Sequence, residues 1–215
     1  MSDAPAFLFD GPANASHVYV FAHGAGAPMD HRWMNTVASG IAASGIRVAR
    51  FEFPYMAGRR SGGPRRAPDR PAVLLDSYRA AVEALRDEAA VIAIGGKSMG
   101  GRIATMIADE VGIAGTVCFG YPFHPLGRPT QTRTAHLATM RTPTLVLQGE
   151  RDGMGARDDV AGYDLAPAIR VYWLTDGDHS LKPRAASGRT ERANLDEAVS
   201  VACEFIAGLG RRARR

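Results

Sequence analysis

The chain has 215 residues, enough for one domain with a full hydrophobic core, and its 46% hydrophobic and 22% charged residues match ordinary globular usage. This composition excludes a wholly disordered chain, and no apolar run approaches the ~20 residues that span a bilayer. The formal net charge of +4 comes from scattered arginines without the interleaved aromatic residues of a nucleic-acid surface. The first eleven residues lack the basic start and apolar stretch of a signal peptide. We therefore expect a single cytoplasmic domain over residues 1–215, with no nucleic-acid or membrane partner.

The two cysteines and the arginine-rich segments have simple structural interpretations. Cys118 and Cys203 lie in apolar stretches, where buried free thiols are common, so we expect neither a disulfide framework nor a metal site. Arginines gather at 59–70 and in the basic tail of residues 209–215, which we interpret as a solvated loop and a frayed terminus.

Strands and helices alternate through the first half of the chain. A short strand over 7–9 precedes the apolar run 17–22, whose apolarity on both faces is typical of a central parallel strand. Asp30 is the predicted N-cap of a helix through Trp33 and Ile41. The next strand covers 47–53, and Pro54 ends it.

The segment 54–71 reads PYMAGRRSGGPRRAPDRP, and its glycine, proline and arginine content predicts a flexible loop without regular structure. A loop of this length in a compact domain is more often functional than idle. It could cover a site, and its arginines are candidates for attracting a carboxylate on a substrate.

The second half of the chain continues the alternation. The predicted elements, in order, are a helix over 73–88, a strand that opens at Ala90, a helix that ends near Glu110, strands over 115–120, 143–148 and 169–174, and a closing helix over 191–208. Between them, 128–142 is mostly loop with a small helix, and the stretch after Gly153 is poorly ordered. This pattern predicts a mostly parallel, doubly wound sheet with helices on both faces, whose ligand sites lie beyond the carboxyl ends of the strands.

Ser98 lies in a G-x-S-x-G sequence, Gly96 to Gly100, between a predicted strand and a predicted helix. A serine held in a strained turn crowds the residues two before and two after it, and glycine fills both positions. The alternative, a phosphate-binding P-loop, needs a further glycine where the chain has Val91. The pattern therefore favours a nucleophile elbow, in which the neighbouring Lys97 is expected to point away from the serine.

A serine nucleophile needs a base and an orienting acid, and His179 and Asp152 follow Ser98 at the ends of later strands. His124, which also follows a strand, is the competing base, although its place between prolines suits a residue that lines the site. The competing acids are Asp158, Asp159, Asp176 and Asp178. The last two lie too near His179 along the chain to reach its far ring nitrogen easily.

Backbone N–H groups from two loops are expected to stabilise the oxyanion. Met99 follows the nucleophile, and Ala25 or Gly26 is the second donor in the sequence HGAG after the first long strand. The predicted substrate-lining residues are His23, Gly24, Tyr121 and His124.

Six segments together carry a family resemblance: AHGAG, FEFPYM, GGKSMGGR, GYPFHP, QGERDGMG and DGDHSLKP. They resemble the small α/β-hydrolases grouped with testis-expressed protein thirty and the hydrolase-like subunit of the NSL chromatin complex, and more distantly the dienelactone hydrolases. The resemblance covers roughly 17–188. It implies a compact α/β-hydrolase fold with Ser98, Asp152 and His179 as its triad. Dienelactone hydrolases have a cysteine nucleophile, and the serine here argues against their reaction.

The leading hypothesis is a serine hydrolase of small esters or thioesters, a carboxylesterase or thioesterase, with no large lid and no metal or organic cofactor. Two alternatives stay open. One is a non-catalytic module of the same fold that docks an acidic partner through its arginines. The other is an amidase or peptidase that uses the same residues.

Overall fold

The computed structural model describes residues 4–210, so the predicted tail at 211–215 lies outside the described part. Seven strands form one sheet: β1 (Phe7–Asp10), β2 (His17–Ala22), β3 (Arg47–Phe51), β4 (Val91–Lys97), β5 (Gly115–Phe119), β6 (Thr144–Gly149) and β7 (Ile169–Leu174). The helices are α1 (Arg32–Ala42), α2 (Pro54–Arg60), α3 (Pro71–Glu83), α4 (Met99–Val111), α5 (Arg157–Ala161) and α6 (Glu191–Gly208). Short 3-10 turns cover Ala135–Thr139 and Ala185–Ser187. Within the described residues, no helix is long and apolar enough to cross a membrane.

The strand order is β1-β3-β2-β4-β5-β6-β7, and only the edge strand β1 is antiparallel to its neighbour. In the centre of the sheet, Val20 of β2 lies opposite Ala49 of β3 on one side and Ile94 of β4 on the other. The side chains of β2 from Val18 to Ala22 are fully buried. Burial of both faces is the expected consequence of a parallel sheet covered by crossover helices.

Two hydrophobic cores lie on opposite faces of this sheet. One contains Leu74 and Tyr78 of α3 and Ile103 of α4. The other contains Trp33 of α1 and Leu195 of α6. The predicted doubly wound, mostly parallel sheet is therefore confirmed, and it places the carboxyl ends of β2, β4, β5, β6 and β7 along one edge.

The segment 54–71 differs from its prediction. Its first seven residues form α2, so the expectation of a segment without regular structure is wrong there. Pro54 stands in the first turn, where its fixed φ suits a helix and its missing N–H is not needed. At the other end of α2, Arg60 forms ion pairs with Glu52 and Asp30, which tie the helix to the sheet.

Three smaller differences concern the helices. The N-cap of α1 is His31, whose ring accepts a hydrogen bond from the Trp33 N–H, while the carboxylate of Asp30 binds Arg60 instead. Helix α3 spans 71–83 rather than 73–88, again with proline in its first turn. The stretch after Gly153, expected to be irregular, contains α5.

Candidate active site

The elbow at Ser98 has the strained backbone that the glycine spacing predicts. Ser98 has φ 51° and ψ −114°, outside the regions that side-chain-bearing residues prefer. A Cβ on Gly96 would lie 2.5 Å from the carbonyl oxygen of Ala22, and one on Gly100 would lie 2.6 Å from the same atom. Because any side chain at either position would collide with β2, both glycines are required for this turn.

A chain of two short hydrogen bonds joins the three predicted triad residues. His179 Nε2 lies 2.8 Å from Ser98 Oγ, and His179 Nδ1 lies 2.8 Å from Asp152 Oδ2. A carboxylate accepts hydrogen bonds, so Nδ1 carries the ring proton and Nε2 is free to accept the hydroxyl proton. The competing residues have other partners: His124 is near Asp159, and Asp176 pairs with arginines. Asp178 accepts hydrogen bonds from the Ser180 and Lys182 N–H groups.

Asp152 is fully buried and has three partners that fix its carboxylate. Oδ1 accepts from the Met154 N–H at 2.8 Å, and Oδ2 accepts from the Gln148 side-chain amide at 2.8 Å as well as from His179. Gln148 belongs to β6, so the strand that delivers the acid also orients it. A buried carboxylate that accepts three hydrogen bonds is held in one geometry.

The loops that carry Asp152 and His179 are packed directly against each other. The Arg151 N–H donates to the Gly177 carbonyl at 2.9 Å, and a Cβ on Gly149 would lie 2.4 Å from the carbonyl oxygens of Gly177 and Asp178. This close backbone approach requires glycine at the end of β6. It fixes the acid and the histidine relative to each other as well as to the sheet.

Three backbone N–H groups near Ser98 have no hydrogen-bond acceptor in residues 4–210. Within the described residues, the N–H groups of Met99, Ala25 and Gly26 donate no hydrogen bond to the protein. Met99 opens α4, whose N-terminal end favours negative charge, and Ala25 and Gly26 line the same cavity as Ser98. The loop they form is anchored because the Tyr55 hydroxyl donates to the Ala25 carbonyl at 2.9 Å.

The cavity at Ser98 has a volume of about 250 Å³. The loop 24–27 lines one side, Trp33 and Met34 of α1 contribute apolar surface, and His179 and Lys97 complete it. A second cavity of about 430 Å³ shares Ala25 and Gly26 with the first and is lined by arginines of the 54–71 segment. A larger cavity, about 840 Å³, lies beside α3 and contains none of the predicted site residues.

Three of the four predicted substrate-lining residues do not reach the cavity. His23 and Tyr121 are fully buried and His124 is 3% exposed, and none of the three side chains lines this cavity, contrary to the prediction. His23 instead braces the oxyanion loop: its Nδ1–H donates to the Gly24 carbonyl at 2.6 Å and its Nε2 accepts from the Phe53 N–H at 3.1 Å. Burial lowers the pKa of His23, which keeps the ring neutral in this role. Gly24 does line the cavity.

Lys97 is the site residue that the sequence missed. Its side chain does not point away but lines the cavity, where the amine donates to the His179 carbonyl and lies 5.4 Å from the centre of the Trp33 ring. Burial lowers the Lys97 pKa from 10.5 to about 8, against the opposing effect of the Asp152 and Asp178 charges. Only the place of this lysine next to the nucleophile could have drawn attention to it.

Comparisons with known proteins agree with this fold. A family model described as an alpha/beta hydrolase domain matches residues 15–207, and the chain therefore belongs to the α/β-hydrolase family. The predicted fold class is confirmed, including the absence of a large lid from the described residues. No curated protein matches the chain. The narrower resemblance to the testis-expressed protein thirty and NSL group stays a prediction.

Three solved structures illustrate the likeness. The esterase domain of a Rhodothermus marinus protein has a TM-score of 0.70 at 17% identity, covering 95% of this chain and 93% of its own. An alpha-beta serine hydrolase homologue from Coxiella burnetii has a TM-score of 0.69 at 15% identity, covering 96% and 98%. Dienelactone hydrolase from Anabaena variabilis has a TM-score of 0.68 at 19% identity, covering 94% and 90%. At these identities the likeness concerns the fold.

Proposed function

We propose that this protein is a serine hydrolase that cleaves a small ester or thioester through an acyl-enzyme. The observation that carries the proposal is the unbroken hydrogen-bond chain from Ser98 through His179 to the buried Asp152. Each member comes from a different strand end, and the strained elbow presents the serine to a cavity. A scaffold that only docked a partner would have no need of this alignment.

The first half of the reaction forms the acyl-enzyme. Ser98 Oγ attacks the carbonyl carbon while His179 Nε2 takes the hydroxyl proton, and Asp152 stabilises the resulting imidazolium through Nδ1–H. The free N–H groups of Met99 and of Ala25 or Gly26 donate to the oxyanion. When the tetrahedral intermediate collapses, the bond to the alcohol or thiol breaks and His179 returns the proton to that leaving group.

The second half regenerates the enzyme. His179 takes a proton from water and the hydroxide attacks the acyl carbon. When the second intermediate collapses, the bond to Ser98 Oγ breaks, His179 returns the proton to Oγ and the acid is released.

The cavity sets the substrate size. A volume of about 250 Å³ is below the roughly 300–1,000 Å³ of sites for drug-sized ligands, which favours a short acyl chain. The apolar contribution of Trp33 and Met34 suits a hydrocarbon portion. Without a large lid over the described residues, a bulky lipid would leave most of its surface in water.

Kinetics on short p-nitrophenyl esters test the proposal. Ser98→Ala and His179→Ala should each lower turnover by several orders of magnitude, and Asp152→Asn by a comparable amount, as in other triads. Asp159→Asn is the matched control because it changes a partly exposed carboxylate that is not hydrogen-bonded to His179. Full activity of His179→Ala would refute the assigned base.

Matched ester and amide substrates separate the esterase proposal from the amidase or peptidase alternative. We expect turnover of the ester and little of the amide, because no feature of the described site is dedicated to an amine leaving group. Higher kcat/KM on the amide would favour the alternative. Salt-sensitive binding of an acidic protein without any turnover would favour a docking module instead.

A further inference from the structure

Arg102 and Arg133 differ from every other buried or half-buried arginine in residues 4–210 because neither has an ion-pair partner there. The others all form ion pairs with carboxylates: Arg47 with Glu88, Arg50 with Asp10, Arg79 with Glu110 and Asp76, and Arg189 with Glu197. Arg102 and Arg133 are also half-buried, yet neither side chain has a carboxylate partner or a hydrogen bond within the described residues. The Arg102 Nε–H is fully buried with no acceptor.

The two arginines lie beside one hydrogen-bonded cluster. Arg102 lies in the second turn of α4, three residues before Thr105, whose hydroxyl lies 2.9 Å from His136 Nε2. The Tyr121 hydroxyl lies 3.5 Å from the same His136 nitrogen and donates to the Arg133 carbonyl at 3.1 Å. These contacts place the segment that carries Arg133 against the face of α4 that carries Arg102.

The cluster holds uncompensated positive charge. Burial and the charge of Arg102 lower the pKa of both Arg133 and His136, the direction expected when cations face each other without an anion between them. Buried charge is costly unless it is paired, and folded proteins pair it with a carboxylate or with a ligand. In this cluster the described chain supplies no carboxylate.

We propose that Arg102 and Arg133 bind an oxyanion group, a carboxylate or a phosphate, carried by the substrate of Ser98. Guanidinium groups bind such planar or tetrahedral anions through paired N–H donors, and a buried Nε–H without an acceptor is suited to one of these bonds. The inference rests on the proposed hydrolase function for its catalytic consequence. The binding itself does not depend on turnover.

Arg102 lies close to the nucleophile along helix α4. The Arg102 N–H donates to the Ser98 carbonyl at 3.0 Å, so the two residues are one helical turn apart, about 6 Å along the axis. Helical side chains lean toward the N-terminus of their helix, which directs Arg102 toward the elbow. A short chain can therefore carry its ester at Ser98 and its anion at the arginines.

The test compares two esters that differ only at the far end of the acyl chain, p-nitrophenyl hexanoate and mono-p-nitrophenyl adipate. We expect Arg102→Gln and Arg133→Gln to lower kcat/KM on the adipate ester about ten-fold or more, and on hexanoate by less than about two-fold. Arg102→Lys, which keeps the charge without the paired donors, should be intermediate. Arg128→Gln, an exposed arginine on the same connection, is the matched control and should change neither rate.

A binding measurement separates this proposal from the proposed hydrolysis. Calorimetry on Ser98→Ala with adipate, and separately with inorganic phosphate, should show binding that disappears when Arg102→Gln is added; the ligand that binds identifies the anion. This result would support the site even if neither ester were hydrolysed. Binding of neither ligand would overturn the proposal. The proposal would also be overturned if the arginine variants lost equal activity on both esters. It would be overturned as well if Arg66→Gln, which changes the second cavity, lost the preference for the adipate ester.

Discussion

Replacing Lys97 with methionine removes a buried amine that lies between Trp33 and the His179 loop. A fall of the pKa from 10.5 to about 8 corresponds to roughly 3 kcal/mol of destabilisation of the charged amine, at 1.36 kcal/mol per pH unit. The hydrogen bond to the His179 carbonyl offsets about 1–2 kcal/mol of the gain from removing that charge. We therefore expect Lys97→Met to be about 1–2 kcal/mol more stable than wild type at pH 7.

The pH dependence has a definite sign. Because the folded pKa of Lys97 is lower than the unfolded one, the unfolded chain binds more protons between about pH 8 and 10.5, and wild-type stability rises over this window. Lys97→Met should lack that contribution. We also expect Lys97→Met to have a kcat roughly ten-fold lower or more than wild type, because the His179 backbone loses the hydrogen bond that holds it.

Urea denaturation at pH 7 and across pH 8 to 10.5, with kcat on a short ester, measures both effects. The control is Lys182→Met, which replaces the only other lysine of the chain, an exposed one, and should leave stability and kcat near wild type. A variant of Lys97 that is less stable at pH 7, or that keeps wild-type kcat, would refute the reasoning.

Three further predictions concern buried contacts around the sheet. Gly100→Ala places a Cβ 2.6 Å from a carbonyl oxygen of β2, so we expect a loss of about 1–3 kcal/mol and of most turnover, whereas Gly58→Ala, with open space around its Cβ, should keep both in urea and ester assays. Tyr78→Phe removes a fully buried hydroxyl that accepts from the Gly95 N–H at 2.8 Å and should cost about 1–3 kcal/mol of unfolding free energy; an unchanged urea midpoint would contradict this. Burial raises the pKa of the Cys118 thiol, so a thiol reagent at pH 8 should modify it only after unfolding, as peptide mapping can show.

Local steric rules made the elbow predictable from the sequence. Ser98 has a positive φ and its turn packs against β2, and both features need glycine two residues before and two residues after the serine. The sequence shows this requirement directly as the G-x-S-x-G spacing. The order of the strands then placed Asp152 and His179 at the same edge. Their hydrogen bonds to each other and to Ser98 are the geometry that this order predicts.

Contacts between distant segments were not predictable in the same way. Helix α2 is tied down by Arg60 between Glu52 and Asp30, a tertiary contact that composition cannot reveal. His23 is a brace rather than a lining residue because Phe53, thirty residues later, donates to its ring. Lys97 turns into the cavity because the His179 carbonyl is its hydrogen-bond acceptor there. Each depends on packing that exists only once the sheet has formed.

The proposed hydrolase function depends most on Ser98 being a nucleophile activated by its neighbours. Incubation with a fluorophosphonate, followed by intact-mass and peptide mass spectrometry, tests this directly. We predict one covalent adduct per chain, located on Ser98, absent from Ser98→Ala and strongly slowed in His179→Ala. No adduct under conditions that label a control serine hydrolase, or an adduct on another residue, would contradict the account.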